Sequence, residues 1–115
     1  MMTLDELVRM QCRPRKGSEH ALTTEQTRSH LDLLSGWMLA DDQKGISKEF
    51  RFDDFHRTMA FVNAVAWIAH VEDHHPDMKV SYPSCTLYFS THDVGGLSLN
   101  DFICAAKVDH LIERN

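Results

Sequence analysis

Residues 46–76 read ISKEFRFDDFHRTMAFVNAVAWIAHVEDHHP, and a change of hydrophobic period inside this stretch decides the fold. From Ile46 to Phe52 apolar and polar side chains alternate, Phe50 and Phe52 against Glu49 and Arg51, as in a half-buried strand. Past Asp53 the spacing becomes four and three. Phe55, Met59, Val62, Ala66 and Ala69 share one helical stripe, with Asp53 placed to accept hydrogen bonds from the first free amides. Phe61, Val65 and Ile68 add a second apolar row, making the stripe wide enough to serve a subunit contact as well as a sheet. Pro76 is expected to end the helix.

Working outward toward the N-terminus, Asp41-Asp42-Gln43-Lys44-Gly45 is a polar turn that joins Ile46–Phe52 to a strand at Trp37–Ala40, giving a hairpin. Thr23 followed three residues later by Gln26 has capping-box spacing and opens a helix over about residues 24–34, stopped by Gly36. Residues 1–20 contain Pro14 and Gly17 and carry no sustained apolar periodicity. They read as an N-terminal tail or loosely docked extension, with the domain proper at 21–115.

Toward the C-terminus, Val80–His92 is rich in strand formers but contains Pro83, which predicts a bulge or two short strands. Cys85, Leu87 and Phe89 would face inward, with Thr86, Tyr88, Ser90 and His92 on the other side. Gly95-Gly96 makes a loop, and Ser98 with Asp101 repeats the capping-box spacing before a helix at about 99–113. The order α-β-β-α-β-β-α is an α+β arrangement: a four-stranded antiparallel sheet with three helices packed on one face. The open face of such a sheet invites a partner.

Composition bounds the function. At 115 residues, 43% hydrophobic and 25% charged, the chain is one small domain that can hold a core without disulfide or metal staples. Its 12 basic and 17 acidic side chains give a formal net charge of −5, which disfavours nucleic-acid binding; the one basic cluster, Arg13, Arg15 and Lys16, reads as a solvated arm. The longest apolar run, Ala64–Ala69, is far short of a membrane span, and the first residues lack the pattern of an export signal. Cys12, Cys85 and Cys104 are odd in number and show no CxxC spacing, which indicates neither a disulfide framework nor a zinc ribbon and suits a reducing cytoplasm.

Chemistry concentrates in histidines. His70 and His74 lie one helical turn apart, His75 follows His74, and His92 stands where the last strand gives out. Three readings are open. The pair His70 and His74 could ligate a metal, although the acid in His70-Val71-Glu72-Asp73-His74 is at the wrong offset for a metalloprotease base. They could be surface or capping histidines that complement a helix C-terminus. Or they could be acid and base groups of one pocket, since Pro76 turns His75 off the helical path while His74 stays on its last turn, with His92 as a third wall.

The spacing His70-x3-His74-His75-Pro76, then Tyr82, His92 and Asp101, resembles the signature of the pterin-4a-carbinolamine dehydratase family. Phe50-x-Phe52-x-x-Phe55, Ser90-Thr91-His92 and Gly96-Leu97-Ser98 extend the likeness over residues 22–112. The resemblance implies dehydration of 4a-hydroxytetrahydropterin, the product of aromatic amino acid hydroxylases, to quinonoid dihydropterin, with no metal or redox cofactor. It implies His74, His75 and His92 as the catalytic groups, His75 leading. His70, Asp73, Pro76, Met78, Ser90 and Thr91 would form the substrate-binding shell. His70 stands where many members carry Glu, and Met78 where Trp is common. A structural, capping role is the expectation for Asp101. The resemblance further implies a homodimer or homotetramer and a functional link to a hydroxylase, with a second role as a dimerisation cofactor as the alternative.

Overall fold

The computed structural model describes residues 2–113. Helix α1 (Leu4–Arg9) leads through a 3-10 turn (Ser18–His20) to α2 (Thr24–Leu31), β1 (Met38–Leu39), β2 (Ile46–Arg51) and α3 (Phe55–Glu72). There follow β3 (Asp77–Ser81), β4 (Ser84–Phe89), a second 3-10 turn (His92–Val94) and α4 (Leu99–Glu113). The strands form one antiparallel sheet in the order β1-β2-β4-β3. The fold is the α+β class expected, except that the described residues hold four α-helices rather than three.

Pro83 resolves the region read as strand-rich into two strands. It lies in the turn between β3 and β4, where its missing N–H leaves no ladder bond unmade, and its carbonyl accepts the Phe52 N–H at 2.7 Å. Ile46, Lys48 and Phe50 of β2 pair with Phe89, Leu87 and Cys85 of β4, so these side chains share one face. That face is the core: Cys85, Leu87 and Phe89 are buried as the alternation predicts. Lys48 is on it too. Its ammonium reaches Asp109 Oδ1 at 2.9 Å and Ser35 O at 2.7 Å, while Trp37 Nε1 donates to Asp109 Oδ2 at 3.0 Å, so the enclosed charge is partnered.

Helix α3 presents a different row from the one expected. Thr58, Phe61, Val65 and Ala69 face inward, whereas Phe55 and Ala66 are exposed. Phe61 and Val65 are therefore core residues and cannot supply a subunit contact. Thr58 takes an inward position because its hydroxyl meets the carbonyls of Asp54 and Tyr82, both at 3.0 Å. The N-cap is Asp54, not Asp53, its carboxylate accepting the Arg57 N–H at 2.7 Å.

The N-terminal segment corrects the sequence reading most. Thr3 and Glu6 close a capping box, α1 follows, and Leu7 is completely buried in the core beside α4. The first half of helix α4 is consequently enclosed all round, with every residue from Asp101 to Ala106 buried. Residues 10–16 have no regular structure yet are fixed. Asn100 Oδ1 accepts from Arg13 N at 3.3 Å and Arg15 Nε at 3.0 Å, and Asn100 Nδ2 donates to Arg13 O at 2.7 Å. The basic cluster is thus a docked arm.

Candidate active site

The site grows from the way α3 ends. Its last helical residue is Glu72; Asp73 turns left-handed at φ 52° and ψ 45°, three residues before the proline expected to stop it. The His74 N–H then closes back on Ala69 O at 3.1 Å, a carbonyl that the Asp73 N–H also reaches. This reversal brings the His74 ring against Phe89, nearly parallel at 8° and 6.0 Å between centroids, and places Nε2 2.6 Å from Asp101 Oδ1. The His74 side chain is 10% exposed and that of Asp101 is completely buried.

Asp101 sits in the first turn of α4 and does two jobs. Its Oδ2 accepts the Ser98 N–H at 2.9 Å, the capping bond that the spacing predicts, and also the Thr91 hydroxyl at 2.8 Å. Thr91 Oγ1 in turn lies 2.7 Å from Ser98 Oγ, which accepts the Asn100 N–H at 3.2 Å. With Thr91 donating to Asp101, the Ser98 hydroxyl donates to Thr91, and the chain of donors runs one way into the carboxylate. A carboxylate used only as acceptor requires His74 Nε2 to be the N–H donor. The tautomer is thereby assigned, and Nδ1 is left as the nitrogen that can take or give a proton.

A cavity of about 440 Å³ opens beside this pair. His74, Asp73 and Thr91 line one side of it and the arm residues Arg13, Arg15 and Lys16 another. Of the residues singled out from the sequence, then, three meet at one cavity. His75 and His92 are exposed, and neither is among its lining residues. Each adjoins a member of the hydrogen-bonded chain, His75 following His74 and His92 following Thr91 as the first residue of a 3-10 turn. His70 is exposed with its ring 5.5 Å from Trp67. Met78 packs against the core from the helix-facing side of β3, and Pro76 and Ser90 are half-buried.

From the sequence the arm reads as solvated, and α1, Asn100 and the second job of Asp101 go unread. The Thr3-to-Glu6 spacing announces α1, and Asp101 closes the histidine signature, so both carried a signal. Nothing in the sequence marks Asn100 as the clamp of a segment 85 positions away. Among the described residues no three His, Cys, Asp or Glu side chains come together as a metal site.

Residues 20–111 match the family described as Pterin 4 alpha carbinolamine dehydratase. A protein of Stenotrophomonas maltophilia (strain K279a) that carries the pterin-4-alpha-carbinolamine dehydratase name is 53% identical over 114 residues, covering 99% of this chain and 98% of its own. One from Xanthomonas campestris pv. campestris (strain 8004), named likewise, is also 53% identical, covering 99% and 97%. The crystal structure of a transcriptional coactivator/pterin dehydratase from Brucella melitensis superimposes with a TM-score of 0.77 at 28% identity, covering 79% of this chain and 97% of that one.

Proposed function

This chain belongs to the pterin 4 alpha carbinolamine dehydratase family, and from that membership we propose that it removes water from a 4a-hydroxytetrahydropterin by histidine acid–base catalysis. The observation that carries the reading is the enclosed His74–Asp101 pair at the edge of a cavity. Loss of the 4a-hydroxyl breaks the C4a–O bond, and the oxygen needs a proton because hydroxide leaves poorly. The N5 proton goes to a base as the C4a=N5 bond forms. The reaction is redox-neutral and returns as many protons as it takes, so imidazoles, which can serve as acid and as base, are matched to it without a metal or redox cofactor.

In this reading Asp101 holds Nε2, and Nδ1 of His74 faces the transfer. His75 and His92, exposed and outside the cavity lining, exchange protons with the bulk. The phenyl ring of Phe89 fixes the plane of the His74 imidazole from behind. Asp73 and Thr91 belong to the substrate side of the cavity, and the quinonoid dihydropterin product must be reduced by two electrons by a separate reductase before a hydroxylase can consume it again as tetrahydropterin.

The test is decay of 4a-hydroxytetrahydropterin generated in situ by an aromatic amino acid hydroxylase. Wild-type protein is expected to accelerate it, with the gain lost in His74→Ala and His75→Ala; a wild-type rate equal to buffer overturns the reading. Stoichiometric metal in the active protein, or inactivation by a chelator, would overturn the metal-free mechanism. Assembly as a homodimer or homotetramer belongs to the same proposal. It is supported by Trp67 and Val71 on the outer side of α3, which are 65% and 57% exposed.

A further inference from the structure

Three thiols are present, and two of them nearly touch. Cys12 Sγ of the arm lies 3.5 Å from Cys104 Sγ of α4, across a separation of 92 positions, whereas Cys85 is buried on β4. We propose that Cys12 and Cys104 are a modification site for hydroperoxides, oxidised to a reversible disulfide that fastens the N-terminal arm to α4. The inference is independent of the dehydratase reading.

Access assigns the roles. Cys12 is half-buried and borders the 440 Å³ cavity, so a small oxidant can reach it; Cys104 is completely buried. Cys12 Sγ donates to Asn100 O at 3.6 Å, which leaves the Cys104 S–H to donate to the Cys12 sulfur. That hydrogen bond, and then burial, push the Cys104 thiol up, so it stays protonated while Cys12 reacts first.

The step balances. The Cys12 sulfur attacks the O–O bond and keeps one oxygen as sulfenic acid, releasing an alcohol, or water from hydrogen peroxide. The Cys104 sulfur then displaces the hydroxyl, and its proton leaves with that hydroxyl as water. Two thiols lose two electrons and two protons, and the peroxide O–O bond is reduced. Bond formation shortens 3.5 Å to about 2.0 Å. The approach falls to the arm, because Cys12 lies outside regular structure and Cys104 in a fully enclosed turn of helix.

The reduced full chain is treated with a small excess of hydrogen peroxide, denatured, alkylated and weighed. The expected product is a monomeric chain about 2 Da lighter with one alkylated thiol, Cys85, and a peptide map joining Cys12 to Cys104. Because the bond closes nearly the whole chain into a loop, Tm should rise by about 5 °C or more and fall back with dithiothreitol. Cys12→Ser should abolish both the cross-link and the shift, and Cys104→Ala should do the same if Cys104→Ser fails to fold. Oxygen added at Cys12 without a cross-link, a bond between two chains, or a Tm rise that survives Cys12→Ser would each overturn the proposal.

Discussion

At the scale of single residues, the decisive arrangement is a histidine whose tautomer is set from behind. Asp101→Asn keeps the shape but offers His74 Nε2 an amide, which can meet it as donor or acceptor, so the assigned tautomer is lost. Turnover in the dehydration assay is expected to fall by about 10- to 100-fold, with a smaller change in KM. Asp73 makes the opposite demand. Its left-handed backbone costs a non-glycine residue about 1–2 kcal/mol, so Asp73→Gly should raise the denaturation midpoint while weakening substrate binding, since Asp73 lines the cavity. His30 reports on pH. Burial holds its pKa below the usual 6.5, its Nδ1 is enclosed without a hydrogen-bond partner, and its ring meets the edge of Phe102 at 5.2 Å. The unfolded chain then binds the proton more readily than the folded one, so this contribution is complete above pH 6.5 and is lost as the pH falls below it. Denaturant midpoints from pH 5 to 8 should show that slope flattened in His30→Leu relative to wild type.

At the scale of elements, α1 converts α4 from a surface helix into a central one. Leu7→Ala should cost about 2–4 kcal/mol in urea unfolding, as for other fully enclosed leucines; a cost under about 0.5 kcal/mol would mean the helix is not docked in solution. This is also where legibility in the sequence divides. The α4 boundaries at 99–113, the inward Cys85, Leu87 and Phe89 and the break at Pro83 were readable because each rests on a local rule. The inner row of α3 was not, because that helix is apolar on most sides and a carbonyl of the neighbouring turn, Tyr82 O, draws Thr58 inward. The same holds for Asp53 and Asp54, tandem carboxylates between which spacing gives no choice. Helix α1 was missed although Thr3 and Glu6 repeat the spacing used to place α2. At the site, the order of the histidines along the chain was plain, but their inequality was not: only His74 gains a buried carboxylate, and that depends on a turn after α3 that no period encodes.

At the scale of the whole molecule, the largest apolar side chain left uncovered is Trp67, with Val71 one turn further along α3. A second copy covering both should make the protein elute as a dimer or tetramer in light scattering, and Trp67→Glu should shift it toward monomer without loss of helical circular dichroism. A wild-type monomer at micromolar concentration would leave that face without an occupant. The enclosure of α4 has a consequence for biogenesis. Among the described elements, α1, the sheet and α3 are all translated before this helix, so on the ribosome the sheet and α3 must wait with their apolar faces wet until α4 emerges. The nascent chain is therefore most in need of chaperone cover until α4 has been made, and a truncation ahead of α4 would release a sticky intermediate instead of a shortened enzyme.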